Sequence, residues 1–266
     1  MKKVRISTLA QMKKEGRKIT ALTAYDFTFA YLIDEGGVDL ILVGDSCGNV
    51  CAGHETTLPV TVDEMIYHVR SVSRGVRHAL VVADMPFMSY QESADLALHN
   101  AGRFMKEANA EAVKLEGGQV ICTTVERLVA VGIPVMGHLG FTPQSVHEFG
   151  GYGVRGKQEA EARRMLADAR ALADAGAFAI VLEKVPSQLA CEITEAIPIP
   201  TIGIGAGSDC DGQILVSYDM LGLYDKMKIK FVRRYAEMGK EVRDSVGRYC
   251  QDVRDGSFPG EEESYS

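Results

Sequence analysis

Short apolar runs rich in β-branched residues alternate along this chain with longer stretches whose apolar residues recur at helical spacing. This alternation predicts an α/β fold, because parallel strands are connected through helices that cover the sheet. The predicted strands are residues 19–26, 39–45, 79–87, 112–118, 134–140, 179–185 and 200–207, with residues 213–216 as the candidate for an eighth. The predicted helices between them are residues 62–75, 91–108, 120–131, 158–175 and 187–197.

Seven or eight strand–helix units in sequence favour a closed barrel over an open, doubly wound sheet. A length of 266 residues is also close to that of a (β/α)8 barrel, the TIM barrel, which typically has about 250 residues. We therefore predict one domain over residues 1–266. A long polar helix at residues 231–253 and a short acidic tail at residues 259–266 are expected to follow the barrel.

Composition excludes several other classes of protein. A net charge of −7 disfavours a general nucleic-acid or anionic-membrane surface, because both need clustered positive charge. The six cysteines include no Cys-x-x-Cys pair, which fits reduced thiols better than a disulfide scaffold. No stretch of about 18 apolar residues is present that could span a membrane. These features predict a cytoplasmic protein.

Polar residues that end the apolar runs are the candidates for chemistry, because active sites of (β/α)8 barrels lie at the carboxyl ends of the strands. Lys114 and Glu116 are two positions apart on one predicted strand, so both side chains point into the barrel. The predicted strand at residues 39–45 ends in Asp45, and Ser46 follows it directly. The full set comprises Asp45, Ser46, Asp84, Lys114, Glu116, His138 and Glu183.

Asp45, Asp84 and Glu116 come from three adjacent strands and would form an oxygen-rich site for a hard divalent cation. Magnesium fits best, since it binds one or two carboxylates and completes its octahedron with water or substrate oxygens. Lys114 would then be a positive partner for a substrate carboxylate. An internal ion pair between Lys114 and Glu116 is the competing interpretation. Zinc is disfavoured, because His138 has no partner at ligand spacing.

Two further strand-end residues each allow a functional and a structural interpretation. Glu183 lies at the predicted rim with apolar neighbours, which suits a general base, although a helix-capping role is about equally compatible. His138 could bind a substrate carboxylate or phosphate, or could be a core histidine. The glycine run at residues 203–207 is a weak phosphate-binding signal. The long connections at residues 46–61 and 141–157 are expected to bind or cover substrate.

Several segments occur in an order that resembles a known family. They are Val-Gly-Asp-Ser at residues 43–46, Gly-His-Glu-Thr-Thr-Leu-Pro-Val-Thr at 53–61, Ala-Asp-Met-Pro-Phe at 83–87, Val-Lys-Leu-Glu-Gly-Gly at 113–118, Gly-His-Leu-Gly-Phe-Thr-Pro-Gln-Ser at 137–145, Val-Leu-Glu at 181–183, Gly-Ile-Gly-Ala-Gly at 203–207 and Asp-Gly-Gln-Ile-Leu at 211–215. Together they resemble the ketopantoate hydroxymethyltransferase family. The resemblance extends over nearly the whole chain, from residue 6 to residue 260.

The resemblance implies a TIM barrel of the phosphoenolpyruvate/pyruvate type that binds Mg²⁺ and assembles as a homo-oligomer, usually a decamer. It implies transfer of a hydroxymethyl group from 5,10-methylenetetrahydrofolate to 3-methyl-2-oxobutanoate, through a magnesium-stabilised enolate. The products are 2-dehydropantoate and tetrahydrofolate, in pantothenate biosynthesis.

The resemblance also assigns a role to each strand-end residue. Asp45, Asp84 and Glu116 would bind the metal, with Glu183 as the proton acceptor. Substrate contacts would come from Asp45, Ser46, Asp84, Lys114 and His138. Two alternatives remain: a magnesium-dependent oxo-acid lyase or phosphonate mutase of the related barrel group, which would act without folate, and a non-catalytic binding barrel.

Overall fold

Eight parallel strands close into a barrel in the computed structural model, which describes residues 2–226 and 229–265. The strands are β1 (Ile19–Thr23), β2 (Leu40–Val43), β3 (Leu80–Asp84), β4 (Ala112–Glu116), β5 (Val135–Gly140), β6 (Ala179–Glu183), β7 (Thr201–Ile204) and β8 (Gly212–Leu215). Each strand pairs with the next, and β8 pairs with β1, so the sheet has no edge. The predicted (β/α)8 barrel, including its eighth strand, is confirmed.

Ten helices occur in the described residues, of which one precedes β1, seven lie between strands and two follow β8. They are α1 (Ile6–Lys14), α2 (Phe27–Glu35), α3 (Cys47–Val50), α4 (Val62–Gly75), α5 (Ala94–Ala108), α6 (Cys122–Ala130), α7 (Glu159–Asp174), α8 (Ser187–Ala196), α9 (Ser217–Met220) and α10 (Met238–Asp255). Short 3-10 turns occupy Gln119–Ile121 and Pro143–Ser145. No helix in the described residues is long and apolar enough to cross a membrane.

Local capping determines where two of these helices begin. Thr61 and Glu64 form a reciprocal capping box at the start of α4, the helix whose bounds match the prediction. Helix α5 begins three residues later than its predicted start at Gln91. The hydroxyl of Ser93 accepts a hydrogen bond from the Leu96 amide and sets the boundary, while Gln91 remains in the preceding loop.

Alternate residues of the strands fill the barrel interior. This core includes Leu40 and Leu42 of β2 together with matching positions from the other strands. Leu9 and Met12 of α1 belong to the same cluster, which places α1 at the amino-terminal ends of the strands. The carboxyl ends are therefore where polar side chains can enter the barrel.

The chain forms two compact units, Met1–Val216 and Ser217–Ser266. The expectation of one domain over residues 1–266 stays a prediction. The C-terminal helix, α10, begins at residue 238 rather than 231, because the preceding backbone bonds elsewhere: the Tyr235 amide donates to the carbonyl of Met220. The predicted tail at residues 259–266 forms no helix or strand over its described residues, and Ser266 lies outside them.

Candidate active site

Five of the polar strand-end residues, on β3 to β6, lie on the inward face of the barrel because they continue the alternation of the core. In β3, Leu80 and Val82 belong to the core cluster, and Asp84 is the next residue on that face. In β4, Ala112 is followed on the same face by Lys114 and Glu116. His138 follows Met136 of β5 in the same way, and Glu183 follows Val181 of β6.

The pairing register brings these residues side by side. Asp84 pairs with Lys114, and Glu116 pairs with His138. On the next pair of strands, Gly140 is opposite Glu183. Gly140 has a positive φ of 93°, and a Cβ there would clash with the Glu183 carbonyl oxygen, so a side chain would displace the base candidate.

Lys114 is a buried cation surrounded by carboxylates. Its Nζ lies 2.7 Å from Asp84 Oδ1 and 3.8 Å from Glu116 Oε1. The predicted alternative, an internal pair of Lys114 with Glu116, therefore describes only the longer of two contacts. Burial lowers the pKa of Lys114, but the carboxylates around it, Asp84 first, outweigh burial, and its pKa is raised. Lys114 is therefore charged at neutral pH.

Asp45 and Asp84 are held side by side in the interior. The Asp45 amide donates to Asp84 Oδ2 at 3.2 Å. Burial raises the pKa of Asp45 well above its usual range, and the Asp84 and Glu116 carboxylates raise it further. Burial also raises the pKa of Asp84, against the opposing effect of Lys114. Excess negative charge at this end of the barrel is thus costly without a cation.

His138 joins the metal-ligand candidate Glu116 to the base candidate Glu183. Its Nδ1 lies 3.4 Å from Glu116 Oε1, and its Nε2 lies 3.4 Å from Glu183 Oε2. Burial and the nearby Lys114 ammonium lower the pKa of His138, but the two carboxylates outweigh them and raise it to about 9. Burial alone would raise the pKa of Glu116, yet His138 and Lys114 lower it overall.

Glu183 is the most accessible of the predicted acidic residues. Its side chain is 15% exposed, whereas that of Glu116 is 3% exposed, so Glu183 can meet a ligand that enters from solvent. Ser46 lies at the start of α3, where its hydroxyl is 2.8 Å from the hydroxyl of Tyr25. All the predicted site residues are thus gathered at the carboxyl ends of the strands.

Sequence reasoning missed two residues that organise this cluster, Gln144 and Tyr90. Gln144 Nε2 donates to Asp45 Oδ2 at 2.9 Å, and its backbone amide donates to Glu116 Oε2 at 3.0 Å. The Tyr90 hydroxyl accepts from the Glu116 amide and donates to Gln144 Oε1. Gln144 lies within a segment that matched the family, but nothing in its local pattern distinguished it from a loop residue.

The carboxylates can hold a hard cation, although not as a preformed three-ligand cluster. No group of three His, Cys, Asp or Glu side chains in residues 2–226 and 229–265 has metal-binding geometry. The buried Glu116 Oε1 accepts no hydrogen bond, and the buried Asp84 Oδ1 is paired only with the Lys114 ammonium, at 2.7 Å. Such oxygens suit Mg²⁺, which takes one or two carboxylates directly and keeps several waters.

The two long connections, residues 46–61 and 141–157, contact each other, and their expected role in binding or covering substrate stays a prediction. The Tyr152 hydroxyl in the second connection donates to the carbonyl of Glu55 in the first, at 3.3 Å. Lys184, next to Glu183, places its ammonium 4.9 Å from the centre of the Phe141 ring and donates to the Tyr152 carbonyl. These contacts join the second connection to the segment that carries the base candidate.

The predicted glycine run at residues 203–207 has a packing role. Gly207 has a positive φ of 85°, and a Cβ there would lie 2.5 Å from the Cβ of Ser187, the first residue of α8. The absence of a side chain therefore lets the loop after β7 pass close to that helix.

Comparison with known proteins decides the family. The family model described as ketopantoate hydroxymethyltransferase matches residues 3–261. This chain belongs to the ketopantoate hydroxymethyltransferase family. A 3-methyl-2-oxobutanoate hydroxymethyltransferase of Prosthecochloris aestuarii is 60% identical over 97% of this chain and 94% of the relative. One from Salinibacter ruber is 56% identical, with 100% of both chains covered.

Solved structures with the same fold come from the PEP mutase/isocitrate lyase superfamily. A 2,3-dimethylmalate lyase of that superfamily has a TM-score of 0.62 at 16% identity, covering 99% of this chain and 89% of its own. A phosphonopyruvate hydrolase in complex with oxalate and Mg²⁺ has a TM-score of 0.60 at 14% identity, covering 98% and 93%. At such low identity these likenesses show the barrel type alone, which confirms the predicted fold class.

Proposed function

We propose that this chain catalyses the transfer of a hydroxymethyl group from 5,10-methylenetetrahydrofolate to 3-methyl-2-oxobutanoate. The products are 2-dehydropantoate and tetrahydrofolate, and the reaction is a step of pantothenate biosynthesis. The observation that carries this proposal is the 60% identity, over 97% of the chain, to a relative named for this activity. We expect the enzyme to act in the cytoplasm.

We further propose Mg²⁺ as the resident cation, bound by Asp45, Asp84 and Glu116. Support comes from the buried Glu116 oxygen, Oε1, which accepts no hydrogen bond. It also comes from the phosphonopyruvate hydrolase of the same fold, whose structure contains Mg²⁺ and oxalate. When bound, Mg²⁺ would supply a positive charge that makes the C3 proton of the oxo acid more acidic.

Lys114, Ser46 and His138 are proposed to place the oxo acid. Lys114 is a charged ammonium at the barrel mouth, so it can attract a substrate carboxylate. Ser46 offers a hydroxyl oriented by Tyr25, and His138 offers ring nitrogens beside Glu116 and Glu183. Asp45 and Asp84, which enclose the same space, complete the proposed contacts.

Glu183 is proposed to accept the C3 proton. Its carboxylate is the accessible one and contacts the imidazole of His138, which orients it. The C3–H bond breaks, and its electron pair forms a C–C bond to the one-carbon unit of the folate. The two carbon–nitrogen bonds that hold this unit are broken, and water supplies the oxygen of the new hydroxymethyl group. The two nitrogens take up the proton held by Glu183 and one proton of the water.

We propose that this chain assembles into a homo-oligomer, a decamer. Val242, Val246 and Tyr249 are about half exposed along α10, and a monomer would leave this apolar surface in water. A mass of ten times 28.9 kDa in light scattering would support the decamer.

The test is product formation from 3-methyl-2-oxobutanoate with and without 5,10-methylenetetrahydrofolate, followed by mass spectrometry. The proposal expects 2-dehydropantoate only when the folate is present. Cleavage or rearrangement of an oxo acid or phosphonate without folate would instead support the lyase or mutase alternative. An absence of turnover together with an absence of magnesium binding would support the non-catalytic barrel.

A further inference from the structure

Gln144 is buried at the centre of the site, with 6% of its surface exposed, yet it is neither charged nor a proposed ligand. It lies in the 3-10 turn Pro143–Ser145, directly after β5. Its backbone amide donates to Glu116 Oε2 at 3.0 Å, and its side-chain Nε2 donates to Asp45 Oδ2 at 2.9 Å. One residue thus bonds to two carboxylates that come from different strands.

The surroundings fix the orientation of the Gln144 amide. Nε2 also donates to the backbone carbonyl of Met85 at 2.9 Å, and a carbonyl can only accept. Oε1 accepts from the Tyr90 hydroxyl at 2.8 Å and from Gln91 Nε2 at 3.0 Å. Both amide protons and both lone pairs are therefore used, so the side chain has a single satisfied orientation.

Gln144 binds only one of the two oxygens of each carboxylate, Asp45 and Glu116. Gln144 holds Oδ2 of Asp45 and Oε2 of Glu116 and has no bond to the second oxygen of either group. Glu116 Oε1 is buried and accepts no hydrogen bond. A neutral amide can hold two carboxylates without competing for a cation, whereas a lysine or arginine at this position would repel the cation.

We propose that Gln144 is a positioning residue for the divalent cation. It binds one oxygen of each carboxylate, Asp45 Oδ2 and Glu116 Oε2, and leaves the other oxygen of each to the metal. The inference rests on the proposed function, because it assumes that these carboxylates bind the cation. Tyr90 acts one step further out, since it bonds both to Gln144 Oε1 and to the backbone amide of Glu116.

The test is the affinity for Mn²⁺ alone, measured by electron paramagnetic resonance, in the wild type, Gln144→Met and Gln91→Met. Gln144→Met keeps the side-chain length but removes the donor to Asp45. Gln91→Met is the matched control: it removes one donor to Gln144 Oε1, whereas the Tyr90 hydroxyl and the Met85 carbonyl keep the amide in its orientation and both carboxylate bonds remain. The melting temperature of each variant shows that it is folded.

We expect Gln144→Met to bind Mn²⁺ about tenfold more weakly than the wild type, and Gln91→Met to stay within about twofold. If Gln144→Met does not fold, Gln144→Asn replaces it, because it keeps a polar amide but withdraws it by one carbon from Asp45. In an Asp45→Asn background, Gln144→Met should cause much less than its tenfold loss, because the carboxylate that Gln144 holds is already gone.

Three outcomes would overturn the inference. A folded Gln144 variant with wild-type Mn²⁺ affinity would overturn it and leave the proposed function intact, provided that the wild type binds Mn²⁺ and turns over. Equal weakening in the Gln91→Met control would show a general packing effect. A wild type that binds no Mn²⁺ would overturn both the inference and the metal role of the site.

Discussion

Glu183 is the residue on which the proposed proton transfer depends. Glu183→Gln keeps the size and the position near His138 but cannot accept the proton. We expect exchange of the C3 proton of 3-methyl-2-oxobutanoate to fall by about 100-fold or more, since general-base catalysis contributes on that order. Deuterium uptake measured by mass spectrometry checks this, with the melting temperature as the control for folding. Near-normal exchange in a folded variant would remove Glu183 from this role.

Lys114 is the buried positive charge that balances the carboxylates. In Lys114→Met, Asp84 and Glu116 would lose their cationic partner, which costs about 3–5 kcal/mol when a buried ion pair is broken. We expect a lower melting temperature and a higher KM for the oxo acid. Lys18→Met is the control, because Lys18 donates to the Ser208 and Cys210 carbonyls. An unchanged KM in Lys114→Met would contradict the substrate contact.

Among the individual site residues, the sequence predicts those whose position follows from strand periodicity. Lys114 and Glu116 alternate with apolar neighbours, so their inward direction could be read from spacing alone. Gln144 and Tyr90 lie in loops, where no period fixes direction. Their roles depend on hydrogen bonds between segments far apart in the chain, such as Gln144 to Asp45, which no local pattern encodes.

Helix α2 is connected to the strand after α4 through a single buried carboxylate at its C-terminal end. Asp34 accepts hydrogen bonds from the backbone amides of Arg77, His78 and Ala79, which lead into β3. We expect Asp34→Ala to destabilise the protein by about 3 kcal/mol, because buried amides lose a charged acceptor.

The matched control for Asp34→Ala lies at the other end of the same helix. Asp26 caps α2 and accepts one hydrogen bond, from the Phe29 amide, so Asp26→Ala should cost about 1 kcal/mol. Urea unfolding of both variants checks the difference. An equal loss in the two variants would contradict the account of Asp34 as the stronger of the two anchors.

Element boundaries and four helices, α1, α2, α3 and α9, were the parts of the fold that the sequence predicted least well. The predicted third strand ran to residue 87, whereas β3 ends at Asp84. The prediction was too long because the start of the following loop is also apolar and buried, as Met85 shows. Helix α2 was not predicted. Its outer side keeps Phe27, Tyr31 and Leu32 exposed, so the segment has no polar face by which an amphipathic helix is recognised.

The free energy of unfolding of the whole protein is expected to depend on pH through Asp219. It is half-buried in the C-terminal unit, and burial raises its pKa to about 6, against the opposing effect of Arg234. The folded protein therefore binds this proton more tightly than the unfolded chain does. The associated stability is fully present below the unfolded pKa of about 3.9 and is lost as pH rises through 6.

Asp219→Asn removes this titration. We expect the melting temperature of the variant, relative to the wild type, to be higher at pH 7.5 than at pH 4.5, because the cost of a buried charge at neutral pH is gone. Thermal unfolding at both pH values measures the two differences. A difference that is constant with pH would show that Asp219 does not titrate in this range.

The proposed activity depends on activation of C3 of an oxo acid by a divalent cation bound in the barrel. Proton NMR of 3-methyl-2-oxobutanoate in heavy water tests it, with the wild-type protein in Mg²⁺ or in EDTA and before any folate is added. We expect the C3 proton signal to be lost with Mg²⁺ and to be kept with EDTA. Equal signals under both conditions, with folded protein, would contradict it.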